Sequence, residues 1–188
     1  GCDIRRCISC NKGCTDAIQN RQFISCVLNA ENGCETTRSI TPAEQKRKVA
    51  VLGGGPAGLE AARVAALRGH DVTLFEKTTS LGGQLNIACI PPRKEEMRRA
   101  TQDLIHAACK AGVKLRLASA PTAQELKDAG FEAVINAVGA HSAAPRITGI
   151  DHVNVVDAWK VLAGEQQVYG TVAVIGGGMV GCETAEYL

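Results

Sequence analysis

The sequence predicts an α/β fold assembled from strand, glycine turn and helix units, and three observations predict it. A short apolar run beginning at Val49 leads into GGGPAG and an alanine-rich helix, followed by a second apolar run that ends in an acid. The same design returns in GTVAVIGGGMVGCETAEYL, residues 170–188. Between the two lie further short apolar runs and a helix-period segment, the alternation that βαβ units produce.

The chain has 188 residues, 45% of them apolar, which is the composition of an ordinary packed protein of about one domain. Its 21 basic and 19 acidic side chains are mixed along the sequence, and the formal charge of +2 gives no basic stripe for nucleic acid. With 3% aromatic residues, a surface built on aromatic stacking is not expected. No run approaches the roughly 18 apolar residues of a membrane span. The N-terminal residues also lack the charged, apolar and small-residue zones of a secretory signal, so a cytoplasmic protein without a membrane partner is expected.

Taken in order, residues 1–40 show no sustained period and carry six of the nine cysteines, so they read as loops and short helices shaped by what the thiols bind. TPAEQKRK, residues 41–48, is polar, contains Pro42 and reads as a linker. The helix of the first unit is expected from Pro56 to Leu67, stopping near Gly69, with Pro at its start and Gly past its end. KEEMRRATQDLIHAACKAG brings Met97, Leu104, Ile105, Ala108 and Ala111 to one face, as in a surface helix, and Cys109 within it is expected to be a small buried residue. Strands are expected at 113–117, 132–139 and 152–156, and again at VAVI, 172–175. Trp159 reads as a packing residue. The second unit stops inside its helix, so the chain is expected to be part of a longer protein or to be completed by another chain.

Gly53, Gly55 and Gly58 form G-x-G-x-x-G between a strand and a helix that begins with Pro56 and Ala57. One glycine permits the turn, one admits a pyrophosphate to the backbone, and one lets helix and strand approach, while the helix N-terminus faces the negative charge. Glu76 closes the second apolar run eighteen residues beyond Gly58, where a carboxylate can accept both ribose hydroxyls and repel a 2′-phosphate. That favours FAD or NAD over NADP at this first site. The plain alternative is a glycine-rich turn with an exposed Glu. Gly176, Gly178 and Gly181, with Met179 and Val180 between and beside them, make a second such turn, whose deciding acid or arginine would lie beyond residue 188.

CISCNKGC and the later FISC give Cys7, Cys10, Cys14 and Cys26, separated by two, three and eleven residues. Close spacing without a secretory signal favours thiolates held for a metal or cluster over disulfides. Zinc usually takes two short knuckles, and here the second is lacking, whereas a [4Fe-4S] cluster commonly takes three close thiolates and one distant one. The cubane therefore fits better, with zinc as its rival. Arg5, Arg6 and Lys12 are expected to offset the thiolate charge. Cys2, Cys34, Cys89, Cys109 and Cys182 read as extra thiols, and the four histidines share no ligand spacing.

IRRCISCNKGC with Cys26 in CVLN, VAVLGGGPAGLEAARVAALRGHDVTLFEK, LGGQLNIACIPPRKEE and VAVIGGGMVGCETAEYL together resemble the rear part of the iron–sulfur flavoenzymes related to 2,4-dienoyl-CoA reductase, 2-enoate reductase and trimethylamine dehydrogenase. The resemblance covers nearly the whole chain. It implies a [4Fe-4S] cluster on Cys7, Cys10, Cys14 and Cys26, and an FAD whose adenosine diphosphate lies on Gly53–Gly58, Glu76 and Lys77. Gln84 and Arg93 would lie toward the flavin, Pro121 near the adenine, and Gly139 in the segment after the fourth strand. Gly176–Gly181 would take the pyrophosphate of NAD or NADP. It further implies a cluster segment and linker at 1–47, the first part of a Rossmann-like FAD domain at 48–168, and the beginning of an NAD(P)-binding domain at 169–188. Departures from the family pattern are Ala30 after Asn29 and Val138 before Gly139.

In this family the barrel that carries FMN precedes the cluster, so the catalytic residues are expected on that other domain. The implied electron order is NAD(P)H, FAD, cluster, FMN and then an activated alkene, since a flavin can link two-electron and one-electron partners. Two alternatives remain: an amine-dehydrogenase-like member passing electrons outward, and a non-catalytic carrier fragment. A pyridine-nucleotide-disulfide oxidoreductase with a redox CxxC is less well matched, because CISC lies ahead of the first glycine turn.

Overall fold

The computed structural model describes residues 4–188, so Cys2 lies outside the described residues. The elements in chain order are α1 (Thr15–Gln19), β1 (Lys48–Leu52), α2 (Pro56–Leu67), β2 (Asp71–Phe75), α3 (Leu85–Ala88) and α4 (Glu95–Lys110). They continue with β3 (Lys114–Arg116), α5 (Ala123–Asp128), β4 (Ala133–Asn136), α6 (Ala158–Leu162) and α7 (Met179–Tyr187).

Strands 1 to 4 form one parallel sheet in the order β3-β2-β1-β4. Val49 pairs with Val72 on one side and Ala133 on the other, which makes β1 a central strand. Its KVAVL sequence suits burial on both faces, as parallel strands between helices require. Val49, Val51, Val72 and Leu74 pack against Leu59, Ala62, Ala108 and Val113, joining sheet, α2 and α4 in one core. Leu59 and Leu74 are fully buried, and burial of such a side chain contributes about 1.5–3 kcal/mol.

The helix of the first unit runs from Pro56 to Leu67 as the sequence predicts, with Pro in its first turn. On α4, Ala108 is buried while Leu104 and Ile105 pack against the core, so the expected face is the one that docks. Cys109 is a correction: it is exposed, one step of about 100° around the helix from its buried neighbour Ala108. Residues 41–47 form no regular element, as expected of a linker, although Ala43 N–H donates to Arg68 O at 2.9 Å and ties the segment to the end of α2.

Two expected strands do not form. Residues 152–156 are turn and coil, and VAVI at 172–175 forms no regular element and is unpaired, with Val172, Val174 and Ile175 exposed. An apolar β-prone run becomes a buried parallel strand only when neighbouring strands satisfy its backbone, and none of the described residues pairs with this one. No helix of the described residues is long and apolar enough to cross a membrane.

Candidate functional site

The carboxyl edge of the sheet gathers most of the residues singled out above. β1 runs into the turn Gly53–Gly58, β2 into Glu76 and Lys77, β3 toward Pro121, and β4 toward Gly139. Ser119 N–H donates to Glu76 O at 2.9 Å, which brings the segment before Pro121 alongside the end of β2. This edge is where parallel α/β sheets receive ligands.

The first turn is built by close approach. Gly53 has φ +106°, and a Cβ on it would sit 2.2 Å from Ala137 O at the end of β4. A Cβ on Gly58 would lie 1.9 Å from Gly53 O, so this glycine lets the helix close on the turn. At Gly55 the nearest atom to such a Cβ is Gly83 Cα at 3.9 Å, an ordinary contact, so this glycine is less crowded than Gly53 or Gly58. The backbone polarity of a helix N-terminus suits a phosphate.

Glu76 is 7% exposed, so it is not the solvated acid of the plain alternative. Its Oε2 accepts from Gly54 N–H at 2.7 Å, and its Oε1 accepts from Thr78 N–H at 2.8 Å and lies 2.9 Å from Thr78 Oγ1. Burial pushes the Glu76 carboxyl up, but the bonds from Thr78 and Gly54 and the charge of Lys77 together bring it below its ordinary value. It therefore stands as an ionised acceptor, and Oε2 retains a lone pair for a further donor. The Thr78 partnership was missed in the sequence; a hydroxyl residue two positions after the strand-closing acid is its signal.

The LGGQLN loop folds over the same turn. Gly82 N–H donates to Gly54 O at 2.8 Å, and a Cβ on Gly83 would come 2.9 Å from Gly55 Cα. Gln84 Nε2 donates to Ala140 O at 2.6 Å, bridging this loop to the segment after β4. Lys77, Pro56, Ala57 and Gly139 lie at the accessible rim, and Pro121 is half-buried.

The second turn repeats the first in conformation. Gly176 has φ +114°, Gly178 caps α7 as Gly55 caps α2, and a Cβ on Gly181 would lie 1.8 Å from Gly176 O. Met179 and Val180 open α7 and are exposed. Arg93 pairs with Glu186 and Lys94 with Glu183, so both basic residues before α4 hold α7.

The cysteine segment is anchored to the helices. Arg5 binds Glu60 of α2 at 3.3 Å, Glu60 is also held by Arg63 at 2.7 Å, and Arg6 binds Asp103 of α4 at 2.5 Å. This corrects the expectation that Arg5 and Arg6 serve the thiolates: their charge is engaged by carboxylates. The Arg6 hydrogen bond accordingly holds Asp103 below the ordinary carboxylate range.

Cys7, Cys10 and Cys26 are exposed free thiols and Cys14 is half-buried. Ser9 N–H donates to Cys7 Sγ at 3.3 Å. Among the described residues no three His, Cys, Asp or Glu side chains converge to hold a metal ion. The donor set, four unoxidised thiols on one short anchored segment, nevertheless has the chemistry that iron–sulfur clusters use.

Residues 47–188 match the sequence model of the pyridine nucleotide-disulphide oxidoreductase family. The chain belongs to that family, and an oxidoreductase is the class that the fold defines. Membership rests on the nucleotide-binding part, and CISC lies ahead of the matched residues, so the reservation about a redox CxxC does not touch it. The chain is 57% identical over 185 residues to bilirubin reductase of Mediterraneibacter gnavus, covering 98% of this chain and 29% of that one. It is 40% identical to cinnamate reductase of Clostridium sporogenes over 185 residues, 98% of this chain and 28% of the reductase. The structure of 2-naphthoyl-CoA reductase in complex with 2-naphthoyl-CoA superposes with a TM-score of 0.93 at 34% identity, over 99% of this chain and 28% of that one. The chain thus spans less than a third of the length of these relatives, and the resemblance to enoate-reductase-like flavoenzymes holds.

Proposed function

We propose that this chain is the electron-input part of an NAD(P)H-dependent flavin and iron–sulfur oxidoreductase that reduces an activated alkene of enoate or dienoyl-CoA type. The observation that carries the reading is the anchoring of the four-thiol segment, through Arg5 and Glu60, to α2, the helix whose N-terminus is the first glycine turn. Relatives named for reduction of bilirubin, cinnamate and 2-naphthoyl-CoA support the substrate class.

In this reading residues 1–47 are the cluster segment and linker, 48–168 the first part of the FAD domain, and 169–188 the start of the NAD(P) domain. FAD and a cluster, when bound, supply the exchange between two-electron and one-electron partners. The chain's own residues position and bind. Gly53–Gly58 and the α2 N-terminus receive the diphosphate, Glu76 accepts from the ribose, Lys77 stands beside it, and Pro121 flanks the adenine. Gln84, Arg93 and Gly139 bound the flavin side, and Gly176–Gly181 with Met179 and Val180 receive the nicotinamide cofactor's pyrophosphate. Cys7, Cys10, Cys14 and Cys26 hold the cluster. FMN and the catalytic residues belong to a barrel domain of the same full-length protein, so this chain alone is inactive on the alkene.

Anaerobic reconstitution with iron and sulfide tests the proposal: about four irons and about four acid-labile sulfides per chain are expected. Tight zinc binding with no iron taken up would overturn the cluster assignment.

A further inference from the structure

Eleven residues separate Cys26 from Cys14 in the sequence, so the fourth thiol reaches the other three only if the intervening loop is closed. Two contacts close it, one on each side of Cys26. On its N-terminal side, Ser25 N–H donates to Gly13 O at 2.6 Å, pairing the residue before Cys26 with the residue before Cys14. The approach is tight enough that a Cβ on Gly13 would fall 2.6 Å from Ser25 O and 2.8 Å from its carbonyl carbon. On its C-terminal side, Arg5 Nη1 donates to Leu28 O at 2.5 Å, tying the segment two residues before Cys7 to the segment two residues after Cys26. The same guanidinium binds Glu60 through Nη2. Cys26 O also accepts from Asn29 N–H at 3.2 Å, which tightens the chain immediately after the thiol.

We propose that Gly13 and Arg5 are positioning residues that brace Cys26 against the segment carrying Cys7, Cys10 and Cys14, and so decide whether the fourth thiolate is delivered. The inference rests on reading the four thiols as cluster ligands. Gly13 acts by having no side chain: any Cβ must displace backbone rather than the tip of a flexible side chain. Arg5 acts by a charged donor fixed at its other end by Glu60. Neither residue supplies a ligand atom. The brace fixes the backbone of the loop while the thiols themselves do not yet converge, so it lowers part of the ordering that cluster binding must impose and leaves the side chains to move.

The test is anaerobic reconstitution of the chain and of four variants, read by iron and sulfide content and by the EPR spectrum. The wild type should take up about four irons, and Cys26→Ser, with three of the thiolates, about three. Gly13→Ala and Arg5→Met should resemble Cys26→Ser in both iron content and EPR signal, although all four cysteines are present. Gln19→Ala, on the exposed face of α1 in the same segment, should resemble the wild type. The unfolding midpoint of the sheet domain, followed in parallel, should not move in Arg5→Met or Gly13→Ala.

If both variants take up iron as the wild type does, with its EPR signal, the brace is overturned. Loss of all iron in Gly13→Ala, beyond what Cys26→Ser loses, would equally contradict a role confined to the fourth thiol. A wild-type chain that takes up no iron would instead sink the ligand assignment, and the brace with it.

Discussion

Gly54 N–H donates to Glu76 Oε2 at 2.7 Å, so the glycine turn after β1 and the acid that ends β2 hold each other before any nucleotide arrives. The bond lies in a buried place, and a Cβ on Gly54 would stand 3.1 Å from Glu76 Oε2 and 2.5 Å from Leu81. Glu76, which we propose as the ribose acceptor, is therefore also a structural peg of the turn. Replacing it with Ala leaves Gly54 N–H and the Thr78 N–H without their acceptor. We expect Glu76→Ala to lower the stability of the sheet domain by about 2–3 kcal/mol, measured by urea unfolding.

The same carboxylate gives the protein a pH dependence of known sign. Its hydrogen bonds hold it below the ordinary value, and the Arg6 bond does the same for Asp103. A carboxyl group whose folded pKa is depressed contributes stability above its unfolded pKa and loses it as the pH falls through the folded one. Stability should thus be flat near neutrality and fall below about pH 4. In Glu76→Gln the fall should be shallower, as read from unfolding midpoints across that range.

Alanine at the last glycine of each turn should have unequal effects. In both turns the new Cβ would collide with the first glycine's carbonyl oxygen, at 1.9 Å for Gly58 and 1.8 Å for Gly181. Gly58 joins α2 to the central strand, whereas the run before Gly176 is exposed and unpaired. Gly58→Ala should destabilise the domain by about 3 kcal/mol and Gly181→Ala by about 1 kcal/mol or less, compared by urea unfolding.

Arg6 and Asp103 form an ion pair at the surface, with Arg6 half exposed, so its effect should be local. Asp103→Asn should alter global stability by only about 0.5–1 kcal/mol. Amide hydrogen exchange in residues 7–30 should quicken, because that segment loses its attachment to α4. Unchanged exchange there would mean that Arg5 suffices to dock the segment.

The first strand–turn–helix unit was legible because every part of its signal is local: an apolar run, glycines at fixed offsets, Pro56 at the helix start and Glu76 in register. The bounds of α2 and the docking face of α4 follow from the same periodicity. What local pattern could not give was company. VAVI at 172–175 has the composition of a strand, but forming one depends on neighbours outside its own residues. Cys109 sits one position from buried Ala108, and a single step around a helix turns a side chain by 100°, so type alone could not place it. Arg5 and Arg6 stand beside thiols in sequence, yet Arg6 meets a carboxylate on α4, and no charge count near the cysteines reveals it. Gly13 carried no signal in the sequence beyond its place before Cys14; its contact with Ser25 needed the folded loop.

The central claim is that this chain joins a dinucleotide cradle to a four-iron cluster, and EPR of the reconstituted, dithionite-reduced protein tests it most directly. The account predicts the signal of one reduced [4Fe-4S] cluster, about one unpaired spin per chain, abolished when Cys7, Cys10, Cys14 and Cys26 are together replaced by Ser. A silent spectrum with zinc bound at the thiols, or a signal that survives loss of all four, would contradict it.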